Sequence, residues 1–244
     1  MRLPPIILHT HSQYSFLWKA TISLLEKHAS IFKIFWVSDT LLNYSLPDNF
    51  VFIQYEANMN WSERIKIALK EINDVYIFYI QEDWLLIDNI VISRIEWLLN
   101  FMEKNNVDFM MSYTTGKQTY QPIIKTEYDD YDIIKIKGHW LQPAVWKYTL
   151  FEKVVNLNIS LKQLESKIVD DITESANCYS IVYNKNTYVS IPTFFFPHIH
   201  SIVNGEWTFN KYPNLKKIIE SFEIDTTLRN INNTWLVDLI EYNN

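Results

Sequence analysis

Val75 to Ile80 form an unbroken apolar run that leads straight into Gln81-Glu82-Asp83-Trp84. A strand that alternates polar and apolar residues has one wet face; a run without alternation is buried on both faces, as at the centre of a parallel sheet. The residues before it supply the neighbours such a strand needs. Ile6-Ile7-Leu8 reads as a first strand, Phe32 to Val37 as a second, and Phe50 to Tyr55, after the turn Pro47-Asp48-Asn49, as a third. Between them, Phe16 to His28 reads as a helix with Leu17, Ile22, Leu24 and Leu25 inward. A second helix opens at Asn60-Trp61-Ser62-Glu63-Arg64, with Ile65, Ala68, Leu69 and Ile72 at helical spacing. Strand and helix alternating in this way predict an α/β fold with a mostly parallel central sheet, flanked by helices and joined by right-handed crossovers.

The remainder is less regular. Ile87 to Lys104 reads as a helix with Ile90, Ile95, Leu98, Leu99 and Met102 inward, and Phe109 to Tyr113 as a strand. Ile123-Ile124 and Ile133 to Ile136 read as short strands, and Leu150 to Val155 and Leu161 to Ile168 as helices. Tyr179 to Tyr183 and Tyr188 to Ile191 read as strands of a β-hairpin or of the sheet's far edge, a smaller C-terminal β element on the acceptor side, and Trp235 to Ile240 as a closing helix. No repeat or low-complexity linker divides the chain, so residues 1–244 are expected to form one domain.

Composition removes several function classes. A net charge of -6, without a Lys/Arg stripe, disfavours nucleic acid as a partner. Only 3 glycines are present, which leaves no room for a GxGxxG or Walker loop. The single cysteine, Cys178, excludes an intrachain disulfide and a thiolate-only metal site, and it reads as a small buried hydrophobe. The first residues lack a signal-peptide pattern and no stretch reaches membrane-spanning length, so the expectation is a soluble, cytoplasmic protein without a membrane span.

Ligands of open α/β sheets bind beyond the carboxyl ends of the strands. Glu82 and Asp83 stand at such an end, and two adjacent carboxylates are costly unless a cation offsets them. A hard divalent ion such as Mn2+ or Mg2+, held by one or two carboxylates and by phosphate oxygens, would do so. The alternative is a solvated strand end with Asp83 capping the next helix.

Three blocks resemble one family. Trp61-Ser62-Glu63-Arg64, Ala68-Leu69 and Val75 to Trp84 resemble a GT-A-type glycosyltransferase family in which a W-S-x-R helix start precedes an apolar strand and an acidic pair of the DXD kind. Leu141-Gln142-Pro143-Ala144-Val145-Trp146 resembles its L-Q-P-A-x-W segment. His198 to Trp207 resembles its V-x-x-G-x-W end. Gln81-Glu82-Asp83 departs from the usual Asp pair, and the chain beyond Phe209 is not covered. The resemblance implies a GT-A-like fold, with residues 1–86 binding a nucleotide-diphosphate-sugar donor and residues 87–244 binding a glycan or other hydroxyl acceptor. It also implies a metal-assisted transfer, with inversion favoured; a non-catalytic nucleotide- or glycan-binding protein of the same fold is the alternative.

Specific residues carry these expectations. His9, Thr10, His11, Gln13 and Tyr14, in the loop after the first strand, are candidates to hold the nucleotide, or they form a polar surface turn. Asp39 could accept a hydrogen bond from base or ribose, or cap a helix. Arg64 is the favoured diphosphate contact, because a guanidinium grips phosphate in a bidentate way; its alternative is a salt bridge with Glu63 or Glu56. Glu82 is placed with the nucleotide and Asp83 with the metal. His198 and His200 would share one face of a strand, so His200 could complete the metal site, or the pair could pack against Phe194, Phe195 and Phe196. Trp146 and Trp207 could stack on an acceptor sugar, or be core. The family implies a carboxylate base beyond the L-Q-P-A-x-W block; Glu165 fits that place, with Asp170 and Asp171 as rivals.

Overall fold

The computed structural model describes residues 2–40, 45–112, 123–128, 130–136, 143–164, 176–183, 194–203 and 205–229. Its centre is a nine-stranded sheet in the order β3-β2-β1-β4-β9-β6-β10-β8-β7. The strands are β1 (Ile6–His9), β2 (Ile34–Ser38), β3 (Phe50–Gln54), β4 (Tyr76–Gln81), β6 (Phe109–Met111), β7 (Ile123–Lys125), β8 (Tyr131–Lys135), β9 (Ala144–Lys147) and β10 (Cys178–Tyr183). Strands β1 to β4 pair in parallel, with His9 opposite both Val37 and Gln81, so three strands end at one edge. Within the sheet only β9 and β8 run against the rest.

Alternate side chains of each central strand enter different cores. Ile6, Leu8, Trp36, Phe78 and Ile80 face one side, which α1 (Ser15–His28) and α3 (Ile92–Lys104) cover. Ile7, Phe35, Val37, Ile77 and Tyr79 face the other, covered by α2 (Trp61–Leu69) and α4 (Tyr148–Val155). Burial of a large apolar side chain contributes about 1.5–3 kcal/mol, so filling both faces of β4 ties both layers to it. Asn60 starts α2 with a capping box: its side chain accepts from the Glu63 N–H at 3.0 Å, and Glu63 accepts from the Asn60 N–H at 2.7 Å.

Two local differences from the sequence reading shape the site. The helix expected from Ile87 begins at Ile92, after an irregular stretch at residues 87–91. Trp84–Leu86 forms β5, which pairs antiparallel with β11 (His198–His200), and Ile87 continues that contact by donating to the Pro197 carbonyl at 2.8 Å. The L-Q-P-A-x-W block also enters the sheet: Ala144 to Lys147 is the strand β9 that separates β4 from β6. A short helix α5 (Leu161–Leu164) follows α4; the expected continuation to Ile168, the strand at Tyr188 to Ile191 and the helix at Trp235 to Ile240 lie outside the described residues. The C-terminal part adds the two-stranded pair β12 (Ile202–Val203) and β13 (Glu206–Trp207), and helix α6 (Pro213–Ser221). Among the described residues, no helix is long and apolar enough to cross a membrane.

Candidate functional site

The shared edge of β1, β2 and β4 brings three short segments together: residues 10–14, Ser38-Asp39, and Glu82-Asp83. Asp39 organises the first of them. Its carboxylate accepts the Ser12 N–H and the Ser12 hydroxyl, both at 2.7 Å, and lies 3.3 Å from His11 Nε2. Burial pushes the Asp39 carboxyl up, but the Ser12 donors and His11 outweigh it and hold it below the ordinary value. Thr10 is buried and committed to the fold. Its N–H donates to Val37 at 2.9 Å, its carbonyl accepts the Tyr55 hydroxyl at 2.7 Å, and its hydroxyl accepts the Trp18 indole N–H. Gln13 is exposed on the 3-10 turn Ser12–Tyr14.

His9 lies beneath this loop, buried, with Nδ1 at 3.5 Å from the Tyr79 hydroxyl, which itself accepts the Trp61 indole N–H at 2.9 Å. Burial first, then the nearby Arg64 and His11, lower the His9 pKa to about 3, so the ring is neutral near pH 7. Arg64 serves the loop after β3. Its Nε donates to the Met59 carbonyl at 2.8 Å and Nη2 to the Ala57 carbonyl at 3.3 Å, while the guanidinium lies 4.6 Å over the Tyr55 ring. Glu63, the salt-bridge partner expected for Arg64, is used in the helix cap instead.

The acidic turn has two unlike carboxyls. Glu82 is buried, and burial together with neighbouring Asp83 pushes its pKa well above the ordinary value, against backbone N–H groups of Glu82 and His11 that pull it down. Asp83 is fixed through its backbone: its main-chain carbonyl accepts the Ser201 N–H at 2.7 Å and the Ser201 hydroxyl at 2.9 Å. Its Oδ2 pairs with His200 Nε2 at 3.0 Å, and its buried Oδ1 has no hydrogen-bond partner. The β5–β11 ladder creates this pairing by setting His200 opposite Trp84, and the imidazole stacks on the indole at 3.8 Å with 14° between planes. His198 also meets Trp84, edge to face at 4.9 Å, so the two histidines share a face as expected. Burial lowers the His198 pKa to about 3.

Tyr14 borders the acidic turn from the opposite side. Its ring stacks on Phe16 at 6.1 Å, and burial, Asp83 and Glu82 raise its pKa. Thus His11, Tyr14, Asp39, Glu82, Asp83 and His200 meet around one corner, with His9 and Arg64 behind it. Trp146 is elsewhere, buried in the second core against Phe109 and Phe151, and Trp207 is buried between Phe16 and Phe209. Glu165, Asp170 and Asp171 lie outside the described residues. Ser12, Tyr55 and Ser201 were missed by the sequence reading; only the position of Ser201 directly after the His-x-His pair hinted at its part.

Among the described residues, no group of three or more His, Cys, Asp or Glu side chains is arranged as a metal cage. A divalent ion carried on a diphosphate requires less from the protein, since one or two carboxylates and phosphate oxygens suffice. The unpartnered Asp83 Oδ1 fits that requirement.

No family model matches the sequence, and no curated protein matches it. Among solved structures, the chain is similar to a cytidylyltransferase from Leptospira borgpetersenii serovar Hardjo-bovis, at 12% identity and TM-score 0.49 over 96% of this chain and 99% of that one. It is similar to S. aureus TarS 1-349 in complex with UDP-GlcNAc, at 12% identity and TM-score 0.45 over 93% of this chain and 69% of that one. It is also similar to the bifunctional IspDF from Campylobacter jejuni, at 14% identity and TM-score 0.45 over 74% of this chain. The match spans 49% of the IspDF chain and 39% of a longer TarS chain.

Proposed function

We propose that this chain is a glycosyltransferase that uses a nucleotide-diphosphate-sugar donor and a hydroxyl acceptor. The observation that carries the reading is Asp83: a carboxylate at the carboxyl end of a central strand, oriented by His200 and Ser201, with Oδ1 buried and unpartnered. Such an oxygen costs free energy unless a cation or donor meets it. The three sequence blocks that resemble GT-A glycosyltransferases support the same assignment.

In this reading Asp83 would hold Mn2+ or Mg2+ together with the donor diphosphate, and His200 keeps the Asp83 carboxylate oriented. The metal supplies charge stabilisation to the leaving diphosphate. His11, Gln13, Tyr14 and Asp39 line the nucleotide side. Burial, together with Asp83, raises the Glu82 pKa, and Asp83, held by His200 and Ser201, is the carboxylate proposed as ligand. Glu165, with Asp170 as its rival, takes the proton from the acceptor hydroxyl, and the transfer inverts the anomeric centre.

A second reading, nucleotide or glycan binding without turnover, is favoured by the departure of Gln81-Glu82-Asp83 from the usual Asp pair. Incubation with UDP-, GDP- and dTDP-sugars, Mn2+ and varied glycan acceptors decides between the two. Release of nucleotide that is lost in Asp83→Ala supports the transferase; tight nucleotide binding with no release supports the binding protein. Full activity in Glu165→Gln would remove Glu165 as the base.

A further inference from the structure

Arg64 was the cation expected at the diphosphate, but its guanidinium is spent on the carbonyls of Ala57 and Met59 and on the Tyr55 ring. A second arginine stands on the other side of the corner. Arg229 lies beyond the part of the chain that resembles the glycosyltransferase family, and it is brought back by the fold. Trp207 anchors the return: its ring meets Phe16 at 5.9 Å, and its indole N–H donates to the Thr226 carbonyl at 3.0 Å. Asp225 then caps the 3-10 turn Thr226–Leu228 through the Thr227 N–H at 2.9 Å, which fixes where the next residue points.

The Arg229 guanidinium lies over two rings at once, 5.2 Å from Tyr14 and 5.6 Å from Phe16. Gly205, whose φ of +80 favours glycine, lies alongside: a Cβ there would stand in ordinary contact, 3.4 Å from Arg229 Nη1. Stacking holds the plane but leaves the N–H edges, and a guanidinium has five donors. Among the described residues no carboxylate or carbonyl accepts from Arg229, and none pairs with the Tyr14 hydroxyl. The guanidinium is therefore stacked on the same Tyr14 ring that Asp83 and Glu82 influence, with its donor edges and the Tyr14 hydroxyl uncommitted within the described residues. Burial first, then Asp83 and Glu82, raise the Tyr14 pKa, and Arg229 lowers it.

We propose that Arg229, with the Tyr14 hydroxyl, grips the phosphate oxygens of the donor diphosphate on the side opposite Asp83. The inference rests on the reading of the site as a nucleotide-diphosphate-sugar site and adds a binding residue to it. Arg64 is then a positioning residue for the loop after β3. The diphosphate then has the stacked guanidinium on one side and the Asp83 carboxylate, which would hold the cation, on the other, and the C-terminal segment that carries Arg229 becomes part of the donor site.

The test is calorimetric titration of the full chain with UDP, GDP and dTDP, then with the nucleoside of whichever binds tightest, and with inorganic pyrophosphate. Arg229→Ala should weaken the nucleoside diphosphate and pyrophosphate by about ten- to a hundredfold and leave the nucleoside unchanged. Arg229→Lys should restore part of the loss, keeping the charge without the fork, and Tyr14→Phe should lose less than Arg229→Ala. Thermal melting of each variant checks that it folds. Equal loss for nucleoside and diphosphate would make Arg229 merely structural, and unchanged diphosphate binding would also overturn the proposal. Arg229-dependent binding of pyrophosphate without any nucleoside recognition would keep the anion site and sink the nucleotide-sugar reading alone. A wild-type chain that binds no probe would sink both.

Discussion

Asp83 Oδ2 and His200 Nε2 lie 3.0 Å apart although 117 positions separate them in the chain. The pairing exists because β5 and β11 form a short ladder that sets Trp84 beneath the His200 ring. His200 thus orients a carboxylate whose other oxygen is buried and unpartnered. His200→Ala should lower nucleotide-sugar turnover by about tenfold or more, the worth of a hydrogen bond to a charged group. His200→Gln should recover part of it, because an amide N–H reaches a similar position. Initial rates at saturating and subsaturating donor measure both variants.

The Tyr55 hydroxyl donates to the Thr10 carbonyl at 2.7 Å from a side chain only 3% exposed. Tyr55→Phe leaves that carbonyl without its donor and withdraws a support of the Arg64 guanidinium. The expected cost is about 1–3 kcal/mol of stability, read as a lower urea midpoint with an unchanged slope.

His9 and His198 are buried, and both have pKa values lowered to about 3 from the ordinary 6.5. The folded state therefore binds fewer protons than the unfolded chain below about pH 6.5, and stability falls as pH drops from there towards 3. Urea midpoints between pH 7 and pH 5 should decline, and His198→Gln should flatten the decline. Asp39 adds to it only at lower pH, because its stabilising contribution is complete above its unfolded pKa and lost as pH falls through the depressed folded value. Glu82 acts in the opposite sense: its raised pKa makes the folded state lose stability as pH rises above the ordinary glutamate range.

Cys178 is buried in the second core, and burial pushes its thiol up to about 12. A native sample should not react with an aromatic disulfide reagent over the time in which the urea-unfolded chain reacts with one equivalent. Rapid native reaction would place the thiol at the surface.

The first four strands and the acidic turn were legible because burial on both faces leaves an unbroken apolar run, and the chain supplies four of them in order. β9 was not, since Ala144-Val145-Trp146 is short and is led in by Pro143, which reads as a turn. β5 was not legible because Trp84-Leu85-Leu86 carries no period of its own, and only its distant partner His198–His200 makes it a strand. Side-chain roles were harder still. Asp39, Asp83 and His200 fell where the strand ends placed them, whereas the commitment of Arg64 depends on main-chain carbonyls at residues 57 and 59 that no residue type announces. Arg229 escaped notice because Trp207 and Asp225 aim it only once the chain has folded back.

The central claim is that Asp83 Oδ1 awaits a cation carried on a nucleotide diphosphate. A crystal structure of the chain with Mn2+ and the nucleoside diphosphate that binds tightest tests it most directly. The account predicts the cation bonded to Asp83 Oδ1 and to phosphate oxygens, with Asp83 still held by Ser201. A nucleotide bound away from this corner, or Asp83 paired with His200 alone beside an occupied site, would contradict it.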